Sequence, residues 1–505
     1  MKKLLVILLA LATVLASFAC CFAAVSSVEK IDELDGKKIA VQTAVAYEDA
    51  VKDRIPKATW DYYTTPNDMI LALESNKIDA YLIEEVGFAA QHYSHKELRR
   101  LDEAAGSIGF AITIGKGDNQ NRLLLEVNKF IEESKASGLS KEMYDYWVTN
   151  WNPEECFYAI PDYDPKAEEL RVAVEGAYEP FSFEVDGSLT GFDVEFVCRF
   201  CKEYGYRPVF EPIPFDQISP ATENGKYNFG MNIVATDERT ESSVLSEDYY
   251  SCDIVFVVED VYDDGIGLLE KIGISFDKTF IKENRWKMFV EGTGVTILIT
   301  LASLLFGTLL GFLVYLACRH GNKFLNGVAG FFNWLIEGMP TVVLLMILFY
   351  VIFGSSKLSG TWISIIGFTL IFACCMFDML CVGCGAISKG QIEASRALGY
   401  TDRESFFKII LPQAARHFLP IYKNDMVSLI KETSIVGYIA VRDLTKISDF
   451  VRSRTYEAFF ALIATAIIYF VVEGVLSFVI SRIQIKIDPK RRSKDKILDG
   501  IKQWD

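Results

Sequence analysis

Between Gly292 and Cys318 the chain runs 27 residues without a formal charge, against the roughly 20 apolar residues that carry a helix across a 30 Å hydrocarbon core. That length predicts a transmembrane helix, and with it a fold solved partly in lipid. Further spans are expected at 324–354, at 358–385 (interrupted by Asp378), at 425–441 and at 458–481 (with Glu473 inside), five in all. A hydrophobic content of 51% and a mean hydropathy of +0.21 agree with a chain that is only partly water-soluble.

Charge divides the same chain in two. Val25 to Lys287 carries 51 acidic and 27 basic residues, net -24, and Met288 to Asp505 carries 16 and 22, net +6; Lys2 and Lys3 complete the total of -16. The -16 total and an acidic soluble half without a Lys/Arg stripe argue against a nucleic-acid binder, which needs cations to neutralise phosphates. Lys2 and Lys3 precede an apolar run, Leu4 to Leu15, and then Ala16, Ser17, Ala19, Ala23 and Ala24. This is the order of a secretory signal, expected over residues 1–24 with cleavage after Ala19, Ala23 or Ala24; an uncleaved anchor is the alternative. With the domain behind it outside, the first span enters the cytoplasm at Arg319, His320 and Lys323. The stretch Lys389–Lys423 and the tail with Lys490, Arg491, Arg492, Lys494 and Lys496 then also fall inside, as the positive-inside rule asks. One basic group, Arg442 to Arg454, falls outside and breaks the rule.

Between the third and fourth expected spans stands Glu393-Ala394-Ser395-Arg396-Ala397-Leu398-Gly399, followed nine residues later by Ile409-Ile410-Leu411-Pro412. This resembles the EAA loop of ABC importer permeases, a short helix closed by Gly399 and followed by a second helical stretch. The resemblance implies that Glu393, Ala394, Gly399, Ile409, Leu411 and Pro412 seat a separate ATPase. It extends over most of Phe280 to Ile485 and is nearest the polar amino-acid permease group. Glu337-Gly338-Met339-Pro340 and Lys431-Glu432-Thr433-Ser434-Ile435 are similar to two further elements of that group. Asp378 and Cys381 stand where the group has a Glu and an Arg. An acid inside a span must face protein or water, so Asp378 and Glu473 are functional candidates, with helix-end carboxylates as the bland alternative. No Gly-x-x-x-x-Gly-Lys-Ser/Thr occurs in the chain, so the ATP implied by the resemblance is used by a partner subunit.

The acidic half resembles the solute-binding proteins of the polar amino-acid family, with its parts in inverted order. Leu170 to Glu259 looks like the beginning of such a protein: Leu170 to Val174, then Tyr178-Glu179-Pro180-Phe181, Gly191-Phe192-Asp193-Val194, Phe215, Thr236-Asp237-Glu238-Arg239 and Ser246 to Tyr250. Ile31 to Val148 looks like what normally follows, with Leu34 to Gln42, Ile78 to Glu84, Gly109 to Ile112 and a closing helix to Trp147. A circular permutation would rebuild one two-lobed domain; a tandem of truncated copies is the alternative. The expected layout is a solute-binding-like segment at 25–150, an acidic linker at 151–169, a second such segment at 170–264 and a linker at 265–287. The permease domain follows at 288–485, with a cytoplasmic tail at 486–505.

The resemblance implies a ligand site. A guanidinium fork grips a carboxylate bidentately, which assigns the solute's α-carboxylate to Arg239 with hydrogen bonds from Thr236 and Asn232. Tyr178, Phe181 and Phe215 would wall the side-chain pocket, and Glu84 takes the position of the acid that holds the ammonium. Thr43-Ala44-Val45-Ala46 replaces the family's Gly-Thr-Thr, so part of the usual donor set is missing. Cys156, Cys198, Cys201 and Cys252 permit one or two disulfides in an exported domain, with Cys198 and Cys201 on one helix face. No metal or catalytic constellation is expected.

The fold class is thus an α/β two-lobed solute-binding domain plus an all-α membrane domain. The expected function is the plasma-membrane subunit of a bacterial ATP-driven importer for amino acids or related small polar solutes, with its binding domain extracellular. Its partners would be ABC ATPase subunits and a second permease copy, identical or homologous. The rival reading, a ligand-gated channel with the same two-lobed domain, is disfavoured by the EAA loop.

Overall fold

A computed structural model describes residues 28–45, 47–153, 155–185, 187–235, 243–260, 268–319, 321–354, 356, 358–455 and 459–487. The expected signal and the tail from 488 onward lie outside the described residues. The chain forms two compact units, one comprising residues through Trp286 together with Asp449–Ala461, the other Lys287–Ser448 and the residues from Leu462 onward.

The first unit is built on an eight-stranded sheet ordered β2-β1-β3-β10-β4-β9-β5-β8. The strands are β1 (Lys38–Gln42), β2 (Thr59–Tyr63), β3 (Ala80–Glu84), β4 (Leu98–Ile114), β5 (Glu168–Val174), β8 (Tyr206–Pro212), β9 (Phe229–Val234) and β10 (Tyr250–Glu259); β6 (Phe183–Val185) and β7 (Ser188–Thr190) form a separate ribbon. β1 pairs in parallel with β2 and β3, and β5 with β8 and β9. β3 and β9 are buried along their whole length, as strands covered on both faces are, and each carries one buried polar residue, Glu84 and Asn232.

The centre of the sheet exchanges strands between the two sequence segments. β10, from the second segment, pairs antiparallel with β3 of the first through Ile254–Val257 against Glu84–Tyr81. β4, from the first, pairs antiparallel with β9 of the second through Phe110–Ile114 against Val234–Phe229. Neither segment completes a sheet alone. The helices interlock in the same sense. Leu123, Val127, Phe130 and Ile131 form the buried stripe of the helix Gln120–Ser137, and Phe130 meets Phe196 and Phe200 of the second segment edge-on at 5.2 and 5.8 Å. Trp147, fully buried, donates its indole N–H to Glu195 Oε2 at 2.7 Å. The two halves that flank β10 and β4 are the lobes: β1–β3 in the first, β5–β9 in the second.

The second unit is helical. Trp286–Cys318, Gly360–Gly385 and Phe459–Ile487 are each long and apolar enough to cross a membrane, and Lys323–Glu337 with Thr341–Ile352 passes the same test only as a pair bent by 106°, a broken span or a re-entrant loop. The break falls at Gly338-Met339-Pro340, because Pro340 has no N–H to give and its ring excludes helical conformation from Met339. The fourth expected span, at 425–441, takes another form. It is the end of the helix Leu411–Glu432 and a 3-10 turn, Thr433–Ile439, and with Asp425, Lys431 and Glu432 aboard it is neither long nor apolar enough to count. A core of Leu345, Phe349, Ile363, Phe368, Phe372, Met426, Leu429 and Val436 joins these helices. Phe459–Ile487 buries only 11% of its most apolar stretch, with Phe470 74% exposed. Lipid or another chain must cover that face.

Candidate functional site

The cleft between the lobes gathers several residues the sequence singled out. Glu84 ends β3 and is 4% exposed. Its Oε1 accepts from the hydroxyl of Tyr47 and its Oε2 from that of Tyr178, which reaches across from the second lobe in short hydrogen bonds. Burial raises the Glu84 carboxyl to about 7, partly offset by the bond from Tyr178. Gly87 makes the approach possible, since a Cβ there would stand 2.7 Å from the Tyr178 hydroxyl oxygen. Tyr178 stacks on Phe181 at 5.4 Å, Phe181 on Tyr250 at 4.8 Å, and Tyr250 on Phe110 at 4.4 Å. The Tyr250 hydroxyl donates to Asn232 Oδ1 at 3.1 Å. Glu84, Tyr178, Phe181 and Asn232 therefore form one continuous chain of contacts.

Phe215 stands apart from that chain, beside a cavity of about 190 Å³ lined also by Ala44, Asp216, Ser219, Pro220, Glu223 and Ile233. Ala44 comes from the first lobe and the rest from the second. Among the described residues, Asp216 Oδ1 and Ser219 Oγ are buried without a hydrogen-bond partner, an unfavourable state that a ligand donor would relieve. Thr43 spends its hydroxyl on the Tyr63 carbonyl at 3.2 Å. Thr236 and Arg239 lie outside the described residues.

Sequence reasoning missed Tyr47, Tyr250, Asp216 and Ser219. Tyr47 follows directly on the departed Thr43–Ala46 element and Asp216 directly on Phe215, so adjacency to a motif was the available signal. Cys156, Cys198, Cys201 and Cys252 are all buried free thiols. Cys198 and Cys201 share the helix Phe192–Tyr204, where burial raises both, Cys198 to about 11.

The second candidate surface is Lys389 to Pro412. Ser388 caps the helix Lys389–Ala397 through Gly390 N at 3.3 Å, and Gly399, at φ +86°, turns the chain in the left-handed region that a side chain would resist. Thr401 and Glu404 form a capping box that starts the next turn. Ser395 and Ser405 share a buried hydroxyl contact at 2.7 Å, which locks the two stretches together. Glu393, Ala394 and Pro412 are exposed, Ile409 and Leu411 half-buried, and Leu398 is 76% exposed. The loop thus presents a leucine and a carboxylate outward.

In the membrane unit, Asn333 Nδ2 donates to Asp378 Oδ2 at 2.9 Å, Thr341 to Glu432 at 3.1 Å, and Lys431 lies 3.9 Å from Glu473. Asp378 and Glu473 thus both have partners, with the Glu473 side chain still 32% exposed.

Residues 307–493 match the family of binding-protein-dependent transport system inner membrane components. The chain is 30% identical over 203 residues to a putative glutamine transport system permease protein of Rickettsia bellii, covering 39% of this chain and 92% of that one. It is 29% identical to an arginine transport system permease protein of Bacillus subtilis, covering 39% and 91%. Among solved structures, an amino acid ABC transporter with histidines is 25% identical, over 44% of this chain and 99% of the other, at a TM-score of 0.38. The chain belongs to the binding-protein-dependent inner membrane components, the membrane subunits of ABC importers, and carries an α/β unit in addition to its permease helices.

Proposed function

We propose that the chain imports amino acids or related small polar solutes, with the first unit as a circularly permuted receptor facing outside a bacterial cell. The observation that carries this reading is the exchange of β10 and β4 between the two segments, which makes one cleft from sequence pieces in inverted order, on the same chain as a permease. Asp216 Oδ1 and Ser219 Oγ beside the cavity, unpartnered among the described residues, favour a solute with hydrogen-bond donors. The relatives' glutamine and arginine systems support the solute class. Arg239 and Thr236 hold the carboxylate, and Tyr178, Phe181 and Phe215 shape the pocket. Glu84 engages an ammonium only by displacing Tyr47 or Tyr178, so ligand entry costs a latch already formed.

On the inner side Glu393, Ala394, Leu398, Gly399, Ile409, Leu411 and Pro412 seat an ATPase that supplies the energy. A second permease chain, identical or homologous, completes the path. Each segment boundary expected from the sequence is kept in this reading, except that 449–461 packs with the receptor.

The test is the melting of the receptor unit in the full chain, held in lipid nanodiscs, with each proteinogenic amino acid in turn. A ligand at a hundred times its Kd adds about 2.7 kcal/mol. A stabilising amino acid that loses its effect in Arg239→Ala supports the reading; a chain that melts identically with all twenty overturns it.

A further inference from the structure

The basic group that breaks the positive-inside rule, Arg442 to Arg454, has so far no role. Its second half belongs to the receptor unit, which includes residues 449–461. Phe450 and Val451 of the helix Leu444–Thr455 are 4% and 1% exposed, Phe450 lies against Gly176, and Phe460 meets Phe276 edge-on at 5.7 Å. Residues two apart on a helix point in different directions, and Arg452 and Arg454 diverge accordingly. Arg452 pairs with Asp68, in the first turn of the helix Pro66–Glu74 of the first lobe, and with Asp449 at 3.1 Å. Arg454 pairs with Glu179, between β5 and β6 of the second lobe, and with Glu283 at 3.3 Å, its guanidinium 5.1 Å from the centre of the Phe183 ring. Arg285 holds Glu283 from the other side at 2.9 Å. The side chains of Arg452 and Arg454 are 13% and 11% exposed and that of Glu179 is 6% exposed. Buried guanidinium groups persist only when paired in this way.

We infer that Arg452 and Arg454 form a two-pronged clip, carried by the segment before the last membrane helix, that grips one lobe of the receptor with each prong and so ties cleft opening to that segment. The inference rests on reading the first unit as the receptor. Asp68 and Glu179 sit on opposite lobes, so opening the cleft changes their separation. Two side chains on one helical turn cannot follow both acids, and one ion pair must break. Glu179 adjoins Tyr178, whose hydroxyl closes on Glu84, so latch and clip are one peptide bond apart. The clip also accounts for arginines on the side of the membrane that usually lacks them: carboxylates of the acidic domain neutralise them.

Amide hydrogen exchange on the full chain in lipid nanodiscs, without added solute, tests this and needs neither ligand nor ATPase. The double variant Arg452→Gln, Arg454→Gln is expected to exchange tenfold or more faster at 66–74 and 176–185. Arg454→Glu is expected to do the same at 176–185, and Glu179→Arg in that background to restore protection. Glu84→Ala, which releases the latch from the far lobe, is expected to speed exchange at 446–455, since coupling is reciprocal. Unchanged exchange in the double variant, or a charge swap that fails to restore protection, overturns the clip. If the double variant loosens every peptide, the charge swap decides between the two. A Glu84→Ala chain that loosens 176–185 and leaves 446–455 as protected as before overturns the coupling. Failure of all amino acids to bind would sink the receptor reading and leave these outcomes intact.

Discussion

The cleft and the Lys389–Pro412 loop handle their functional groups in opposite ways. In the cleft, Glu84 is wrapped by two phenols and a stack of aromatic rings, and its polar atoms are satisfied from within the chain. In the loop, Leu398 and Glu393 are left in the open while Ser395 and Ser405 underneath are locked. A buried acid must find donors in its own fold, whereas an exposed leucine on a rigid turn gains only from another surface. Changes in the cleft unit should therefore register in stability, and changes in the loop in association.

The largest effect is expected at Trp147, where truncation to Ala removes a fully buried indole and strands Glu195. The receptor unit should lose about 3–5 kcal/mol, read by chemical denaturation of the full chain, with ATPase association unchanged. A loss under 1 kcal/mol would mean the closing segment does not hold the lobes together.

Leu398→Asp reverses the pattern. Burying a leucine contributes about 2–3 kcal/mol, so affinity for the ATPase subunits should fall some thirtyfold or more while the melting midpoint stays within error. A shifted midpoint with intact association would move Leu398 from interface to core.

The pH dependence follows next in size. Burial raises Glu84 to about 7 from an ordinary 4.5, so its native form holds a proton that the unfolded chain releases between those values. Stability from this group is complete below pH 4.5 and is lost as pH rises to 7, at up to about 1.4 kcal/mol per pH unit. Asp193, buried with the Tyr249 hydroxyl at 2.7 Å, is also raised to about 7 and acts with the same sign. The receptor unit should be more stable at pH 5.5 than at pH 7.5, and Glu84→Gln should flatten the slope. A stability that climbs over this interval would show that the Glu84 carboxyl is ionised in the native cleft.

The smallest effect belongs to the Glu404–Lys408 pair of the loop, 2.9 Å apart and open to solvent. Lys408→Ala should leave melting unchanged, because water already screens such a pair. A measurable destabilisation would place the pair under cover of another subunit.

Some of this was legible before any coordinates. The uncharged run from Gly292 announced a membrane helix, and the spacing from Glu393 to Pro412 announced two short helical stretches joined at Gly399, because each is a local property of consecutive residues. The fourth expected span shows the limit. Apolar content suggested 425–441, but Lys431 and Glu432 find partners in Glu473 and Thr341 on other helices, which no local pattern reveals. The candidate ligand residues show it again. Glu84 was singled out by its position, yet the hydroxyls that occupy it come from Tyr47, 37 residues away, and Tyr178, 94 residues away.

The sequence by itself determined the partition into an acidic α/β half and an apolar helical half, because charge and hydropathy decide the solvent of each segment. The resemblance read from it also proposed two binding-like segments in inverted order. The tertiary structure alone decided that those segments exchange β10 and β4, that the cleft's acid is already occupied, and that Arg452 and Arg454 are buried against Asp68 and Glu179. Pairing across hundreds of residues depends on which surfaces meet in the fold, and neither spacing nor composition carries that information.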